Sequence, residues 1–394
     1  MRTLTRHVLF ELLQVFLLTL AGLTALIFIA LIGKEAIKKG LGVGPLLRMT
    51  PYLIPQAMQF AVPGTMLLAT TSVYGRLSAS NEVLAIKSMG VSPWVLARPT
   101  LVLAAFTSLG AVALNDLAVS WGRLGVQRVF VESLEEVIYS QLRLHRSYAE
   151  AGVQINVRRV EGKRLVQPTV TVPARGGKPA WTVASASAEI SSAPDANKLL
   201  IRFEGVHLEG ERNASVAIAS TIKREIDLDD LLGGEEGRSP SNYALAEIDS
   251  EQHAVDRQLE RIGREQAASS ALAMMTGDFE RVSARAWSRS EGAIAGAEFR
   301  KRRLSVEPYR RWANGFSCLC FVMVGMPMAI LRQKGEFLAS FFLCFLPILL
   351  VYYPLLMFSV DYAKTGDIPP QAVWLGNTVL AIWGLWMMRR VVRR

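Results

Sequence analysis

Cysteine and histidine are scarce in this chain, three Cys and four His among 394 residues. Cys318, Cys320 and Cys344 all fall inside apolar runs, so no disulfide framework is on offer. A C-x-C pair in hydrocarbon is also a poor metal site, which leaves packing as the expected role. The histidines are scattered and gather no ligand set. G-x-x-x-x-G-K-S/T, H-E-x-x-H and G-x-S-x-G are likewise missing; "GFSCL" at 315–319 opens like the last but has Leu where the second Gly must be. No catalytic residue, cofactor or metal is therefore expected, and catalysis by this chain alone is not expected either.

What the chain has in quantity is apolar sequence. Hydrophobic residues make up 51 % of it and the mean hydropathy is +0.26, above ordinary soluble proteins and below a chain that is all membrane. Six nearly charge-free runs reach helix-spanning length: Leu12–Gly33, Met49–Tyr74, Pro99–Asn115, Trp312–Leu331, Phe337–Val360 and Ile368–Met388. The first is too long for a removable signal sequence and lacks a small-residue cleavage site, so it is expected to be a true span. None of the spans carries the kind of buried acidic residue that couples a secondary transporter to protons or sodium.

The spans divide three and three around a polar block from about Leu117 to Arg311. "VQINVRRVEGKRLVQPTVTV", "AWTVASASAEIS" and "NKLLIRFEGVHLEG" alternate with period two between turn residues. An antiparallel sandwich or jelly-roll-like domain is expected from about Gly152 to Leu228. "LLGGEEGRSPSN" (231–242) has linker composition. From Tyr243 to about Arg303, Ala, Glu, Arg and Gln dominate, as expected of a solvated helical insertion. The fold class is thus an α-helical polytopic membrane protein of six spans (3+3) with an inserted all-β domain and a helical insertion. The expected segments are 1–117, 118–230, 231–303 and 304–394.

Charge does not orient the chain. One side of a six-span arrangement holds Arg2, Arg6, Arg76, Lys87, Arg98, Arg332, Lys334, Arg389, Arg390, Arg393 and Arg394. The other holds Lys34, Lys38, Lys39, Arg48, Arg300, Lys301, Arg302, Arg303, Arg310, Arg311 and Lys364, so the counts tie. A polyanion at the outer face would account for basic residues there.

Between the second and third runs lies "SASNEVLAIKSMGVSPW" (78–94). Ser80 or Asn81 can cap a helix, Glu82 suits its first turn, Gly90 can end it in the left-handed conformation, and Pro93 forbids continuation. A helix over Glu82–Met89 is expected. So short a helix is marginal alone in water and must lean on its own spans, the bilayer or another protein. Taken by itself, an interfacial connector with Val83, Leu84, Ile86 and Met89 on lipid is an equal reading.

Residues 51–99, "PYLIPQAMQFAVPGTMLLATTSVYGRLSASNEVLAIKSMGVSPWVLARP", resemble the second, proline-broken span and coupling helix of the lipopolysaccharide-export permeases LptF/LptG. The likeness continues in "IGKEAIKKG" (32–40), in "VASASAEI" and "LLIRFEGVHLEG", in "RRWANGFSCLCFVMVGMPMAI" (310–330) and in "GDIPPQAVWLGNTVLAIWGLWMMRR" (366–390). It covers all six spans and most of the strand domain; the helical block 243–303 is longer than expected for the family.

The resemblance implies a non-catalytic permease subunit of an ABC transporter in the inner membrane, with both termini cytoplasmic and the large domain periplasmic. It implies lipopolysaccharide as cargo, a cytosolic ABC ATPase dimer, a second homologous permease as homo- or heterodimer partner, and a periplasmic jelly-roll bridge protein. Nucleic acid is not an expected partner. Carried over position by position, the coupling helix spans 80–90, with Glu82, Arg76, Ile86 and Gly90 in ATPase coupling. Lys34, Lys38 and Lys39 would line the lipid entry, and Arg310 and Arg311 the same rim. Lys34 and Lys38 lie one turn apart, where like charges repel by about 0.2–0.5 kcal/mol unless an anion sits between them. The alternatives are an ABC-type permease for another lipid or lipoprotein, and a membrane scaffold without transport. ABC permeases of the cell-division or macrolide type place their outer domain after the first of four spans, which the three-and-three split argues against.

Overall fold

A computed structural model describes residues 2–39, 43–150, 153–172, 181–193, 198–209, 215–218, 222–227, 239–277, 284–332 and 337–393. In chain order, α1 (Arg2–Lys39), α2 (Val43–Ala79), α3 (Glu82–Ser88), α4 (Trp94–Leu117) and α5 (Leu124–His145) precede nine strands. Then follow α6 (Leu245–Thr276), α7 (Ala284–Leu331), α8 (Phe337–Pro347), α9 (Tyr353–Thr365) and α10 (Leu375–Arg393). Two compact units result. One holds residues 1–28, 54–120 and 240–394, the other 29–53 and 121–239.

Among the described residues, four helical stretches are long and apolar enough to cross a membrane: Thr5–Ile37, Trp94–Phe130, Glu291–Leu331 and Phe341–Thr365. They overlap the expected first, third, fourth and fifth spans. The second and sixth expected spans are helices, α2 and α10, that fall short of that apolar measure. In α2, buried hydroxyl groups are satisfied by the helix itself. Buried Thr65, Thr70 and Thr71 donate to the carbonyls of Ala61, Met66 and Leu67 at 3.0, 2.7 and 3.0 Å. Pro51, Pro55 and Pro63 lie within this helix without ending it, so the expected proline break is not a break in the helix. In α10, buried Asn377 donates to the Ala313 carbonyl of α7 at 2.8 Å.

Helices α4 and α7 meet closely because Gly315 presents no side chain. A Cβ there would lie 2.2 Å from Val112 Cγ2 and 2.9 Å from the Val112 amide nitrogen. One core cluster joins Leu12, Met66, Tyr74, Leu96, Val322 and Met388; another joins Val306, Phe321, Ile348, Tyr352 and Leu380. Cys318, Cys320 and Cys344 are buried and carry free thiols.

The expected helical insertion is not a separate element. Its second half is the start of α7, which runs for 48 residues from Ala284 through the fourth apolar run. The boundary expected at 303/304 therefore falls inside a helix. Helix α6 folds back on α7 around Tyr243, Ile248, Val255, Ala297 and Leu304, making a helical hairpin. Lys301 of α7 reaches Asp256 of α6 at 2.6 Å, and Arg302 pairs with Glu298 within α7 at 3.1 Å. The expected linker 231–242 lies mostly outside the described residues; Pro240–Asn242 form one 3-10 turn.

The second unit holds the strands, and its order follows from hairpin pairing. β1 (Ser147–Glu150) pairs with β2 (Val153–Asn156), β2 with β5 (Thr169–Val172), and β3 (Arg159–Glu161) with β4 (Arg164–Val166). The long β6 (Trp181–Ala193) takes β5 along its first part and β4 along its second, with β7 (Lys198–Glu209) on its other edge. β8 (Ser215–Ile218) and β9 (Ile222–Asp227) share the far edge of β7. All pairings are antiparallel. Register aligns buried side chains in rows, Tyr148–Ile155–Val170–Val183 and Leu165–Ala188–Phe203, as period-two patterning demands. Where β4 gives way to β5, Gln167 takes φ 50° and, opposite, Gly205 takes φ +63°. The described strands thus make one interrupted sheet, and the expected closed jelly roll is not visible in them.

The helix α5, absent from the sequence expectation, packs on this sheet. The Tyr139 hydroxyl donates to the Lys163 carbonyl at 2.6 Å and accepts from the Ile190 amide at 3.0 Å. Burial pushes the Tyr139 phenol above its ordinary range.

Candidate functional site: a ledge helix and a charged rim

Helix α3 has seven residues and matches the expected Glu82–Met89 to within one. Asn81 precedes it at φ 60° and makes no side-chain cap; Ser80 Oγ instead donates to Glu82 Oε1 at 2.8 Å. Gly90 closes it at φ +78°, as the sequence anticipates, with its amide on the Lys87 carbonyl at 2.9 Å. The helix is short enough to need a support, and its two faces show where that support lies. Val83 and Ile86, one turn apart, are buried in the cluster that holds Leu77, Leu96, Ile330, Met388 and Val391. Lys87 Nζ donates to the Val391 carbonyl of α10 at 2.5 Å. Ser78 Oγ, just before the ledge, donates to the Ile330 carbonyl of α7 at 2.8 Å.

The opposite face is open. Glu82, Ala85 and Ser88 are exposed, and so are Leu84 at 56 % and Met89 at 71 %. Of the four residues expected in coupling, Glu82 stands on this outward face and Gly90 ends the helix. Ile86 points inward and anchors it. Arg76 precedes it on α2 and pairs with Glu11 of α1. Leu84 and Met89, the apolar members of the outward face, were not among the coupling residues expected from sequence.

The expected basic rim divides in the structure. Lys34 is exposed on α1, which continues through Lys39; the side chains of Lys38 and Lys39 lie outside the described residues. Arg311, expected on a lipid-facing rim, is instead 1 % exposed and donates to Asp116 Oδ1 at 2.8 Å. Its position on α7 faces α4 and the 240–243 turn. Arg310 is partly buried and donates to Glu307 Oε2 at 2.7 Å. The neighbouring basic run is also engaged within the chain: Arg300 reaches Tyr243 Oη at 3.1 Å and Arg302 reaches the Thr365 carbonyl. These four cations thus have partners within the chain.

Taken together, long apolar helices, an inserted antiparallel sheet and a short ledge anchored on one face define a polytopic membrane protein of the transporter-permease class. No group of His, Cys, Asp and Glu able to hold a metal occurs among the described residues. The sequence model described as lipopolysaccharide export system permease LptF/LptG matches residues 6–390. The chain belongs to that family. No curated protein matches it.

Proposed function

We propose that this chain is the non-catalytic permease subunit of an ABC exporter that extracts lipopolysaccharide from the inner membrane and hands it to a periplasmic jelly-roll bridge. In this reading α1, α2, α4, α7, the α8–α9 pair and α10 supply six spans. Both termini and α3 face the cytosol, and the sheet and hairpin face the periplasm. The observation that carries the reading is α3: a seven-residue helix fixed from behind by Val83, Ile86 and Lys87, with Glu82, Leu84 and Met89 turned outward. A permease without a nucleotide site needs such a ledge for a separate ATPase to push.

Lys34, with Lys38 and Lys39, would receive the phosphates of lipid A as point charges. The first span supports pairing with a second permease, because only 6 % of its apolar stretch is buried within this chain. The sheet's outer strands suit strand addition by a like domain of the bridge.

Two measurements test this. Purified in mild detergent, the chain should bring an ATP-binding subunit and a second permease chain with it. Glu82→Arg should abolish ATP-driven lipopolysaccharide release while the complex still purifies intact. Release at the wild-type rate by Glu82→Arg would remove Glu82 from coupling, and purification without any ATPase would overturn the exporter reading.

A further inference from the structure

Where α4 ends, α7 and the turn into α6 enclose a set of charges that the permease reading does not use. The side chains of Arg311 and Glu307 are 1 % and 4 % exposed, and that of Asp116 is 31 % exposed. Arg311 Nη1 donates to Asp116 Oδ1 at 2.8 Å, and Arg311 Nη2 donates to the carbonyls of Ser241 and Tyr243. Asp116 Oδ1 also accepts the Leu245 amide at 2.8 Å, in the first turn of α6, where a carboxylate suits the helix dipole. Glu307 accepts from Ser241 Oγ at 3.0 Å and from Arg310 at 2.7 Å. Two cations and two carboxylates balance. Arg311 and Glu307 are the buried members, and a buried ion that loses a partner is costly, so the set holds α4, α6 and α7 in one geometry.

The same seam is fastened along its length. The Leu319 amide donates to Ser108 Oγ at 3.1 Å, and Gly315 lets the backbones of α4 and α7 meet. Beside the seam, Ser78 of α2 reaches the Ile330 carbonyl of α7, and Lys87 of α3 the Val391 carbonyl of α10. Beyond Arg311, α7 continues for about 40 Å into the hairpin at 1.5 Å per residue.

Resting on the permease reading, we propose that the α4–α7 seam stays closed throughout the transport cycle, with Arg311 and Asp116 as the positioning residues that lock it. Force received at α3 then moves the helices of this unit together and is carried by α7 into the hairpin. The chain's first three spans do not part from its last three.

The test uses Ser108→Cys with Leu319→Cys in a background of Cys318→Ala, Cys320→Ala and Cys344→Ala. The pair is chosen because the Leu319 amide donates to Ser108 Oγ at 3.1 Å; a disulfide needs Cα atoms about 4.4–6.8 Å apart. The complex in lipopolysaccharide-loaded proteoliposomes should crosslink equally with and without ATP. Lipopolysaccharide released per ATP should stay within about twofold of the reduced sample. Arg311→Lys keeps the charge but not the planar fork; it should lower release per ATP about fivefold, and crosslinking should restore it. Absence of the crosslink, a yield that falls with ATP, or a tenfold loss of release reversed by reductant would each overturn the closed seam. If the uncrosslinked background shows no ATP-driven release, the permease reading fails; crosslink yield, scored on gels, still decides the seam.

Discussion

Gly315 shows what one missing side chain does in this molecule. A methyl group added there would sit 2.2 Å from Val112 Cγ2 and 3.2 Å from the Ser108 carbonyl, so Gly315→Ala must push α4 from α7. The expected loss is about 1–3 kcal/mol, read as a lower unfolding midpoint in detergent. Tyr139 is the corresponding residue in the sheet unit. Tyr139→Phe strands the Lys163 carbonyl and the Ile190 amide, and should cost about 1–3 kcal/mol. The Tyr139 phenol is raised by burial, and the Lys163 ammonium by its hydrogen bond to Glu135. Both folded values lie above the unfolded ones. The folded unit therefore keeps these protons to higher pH than the unfolded chain. Their stabilisation is complete below the unfolded values near 10 and fades as pH rises through the folded ones. A pH series of unfolding midpoints should be flat on account of this pair between about pH 6 and 9, and fall above that.

Elements built from local signals were the ones readable in the sequence. Helix α3 was legible because Glu82, Gly90 and Pro93 each act within a few residues, although Asn81 makes no side-chain cap, and the observed helix differs by a single residue. The strands were legible from alternation, and the rows of buried residues follow that alternation. What escaped were features decided by tertiary contact. Helix α5 lacks an apolar run and is held by the sheet it packs against. The single helix α7 crosses from polar to apolar composition without any change of backbone, so composition placed a boundary where geometry has none. Arg311 carries no local mark of burial; the approach of Asp116, 195 positions away, and of the 240–243 turn makes it so. For α3 the two faces should separate cleanly under mutation. Leu84→Asp or Met89→Asp should leave the unfolding midpoint within about 0.5 kcal/mol of wild type yet abolish capture of the ATPase, as expected of surface changes. Val83→Asp places a carboxylate in the cluster around Leu96 and Val391, and should lower the midpoint itself.

At the scale of the whole chain, orientation is the property that the sequence leaves undecided, because its basic residues tie across the two sides. The long polar block explains why: the rule that cytoplasmic loops are basic holds for short loops, and residues of a large domain contribute little to it. Several basic residues of that block have structural employment instead, Lys301 with Asp256 and Arg311 with Asp116. Charge therefore does not orient the chain, and the cytosolic position proposed for α3 is decided by accessibility. Ser88 on α3 and Ser269 on α6 are both exposed, whereas Cys318, Cys320 and Cys344 are buried and give a low labelling background. In intact cells with a permeabilised outer membrane, an impermeant maleimide should label Ser269→Cys and should reach Ser88→Cys only after the inner membrane is opened. The reverse pattern would put the ledge beyond the reach of any cytosolic ATPase. Equal labelling of both would deny that the helices between them cross the bilayer an odd number of times.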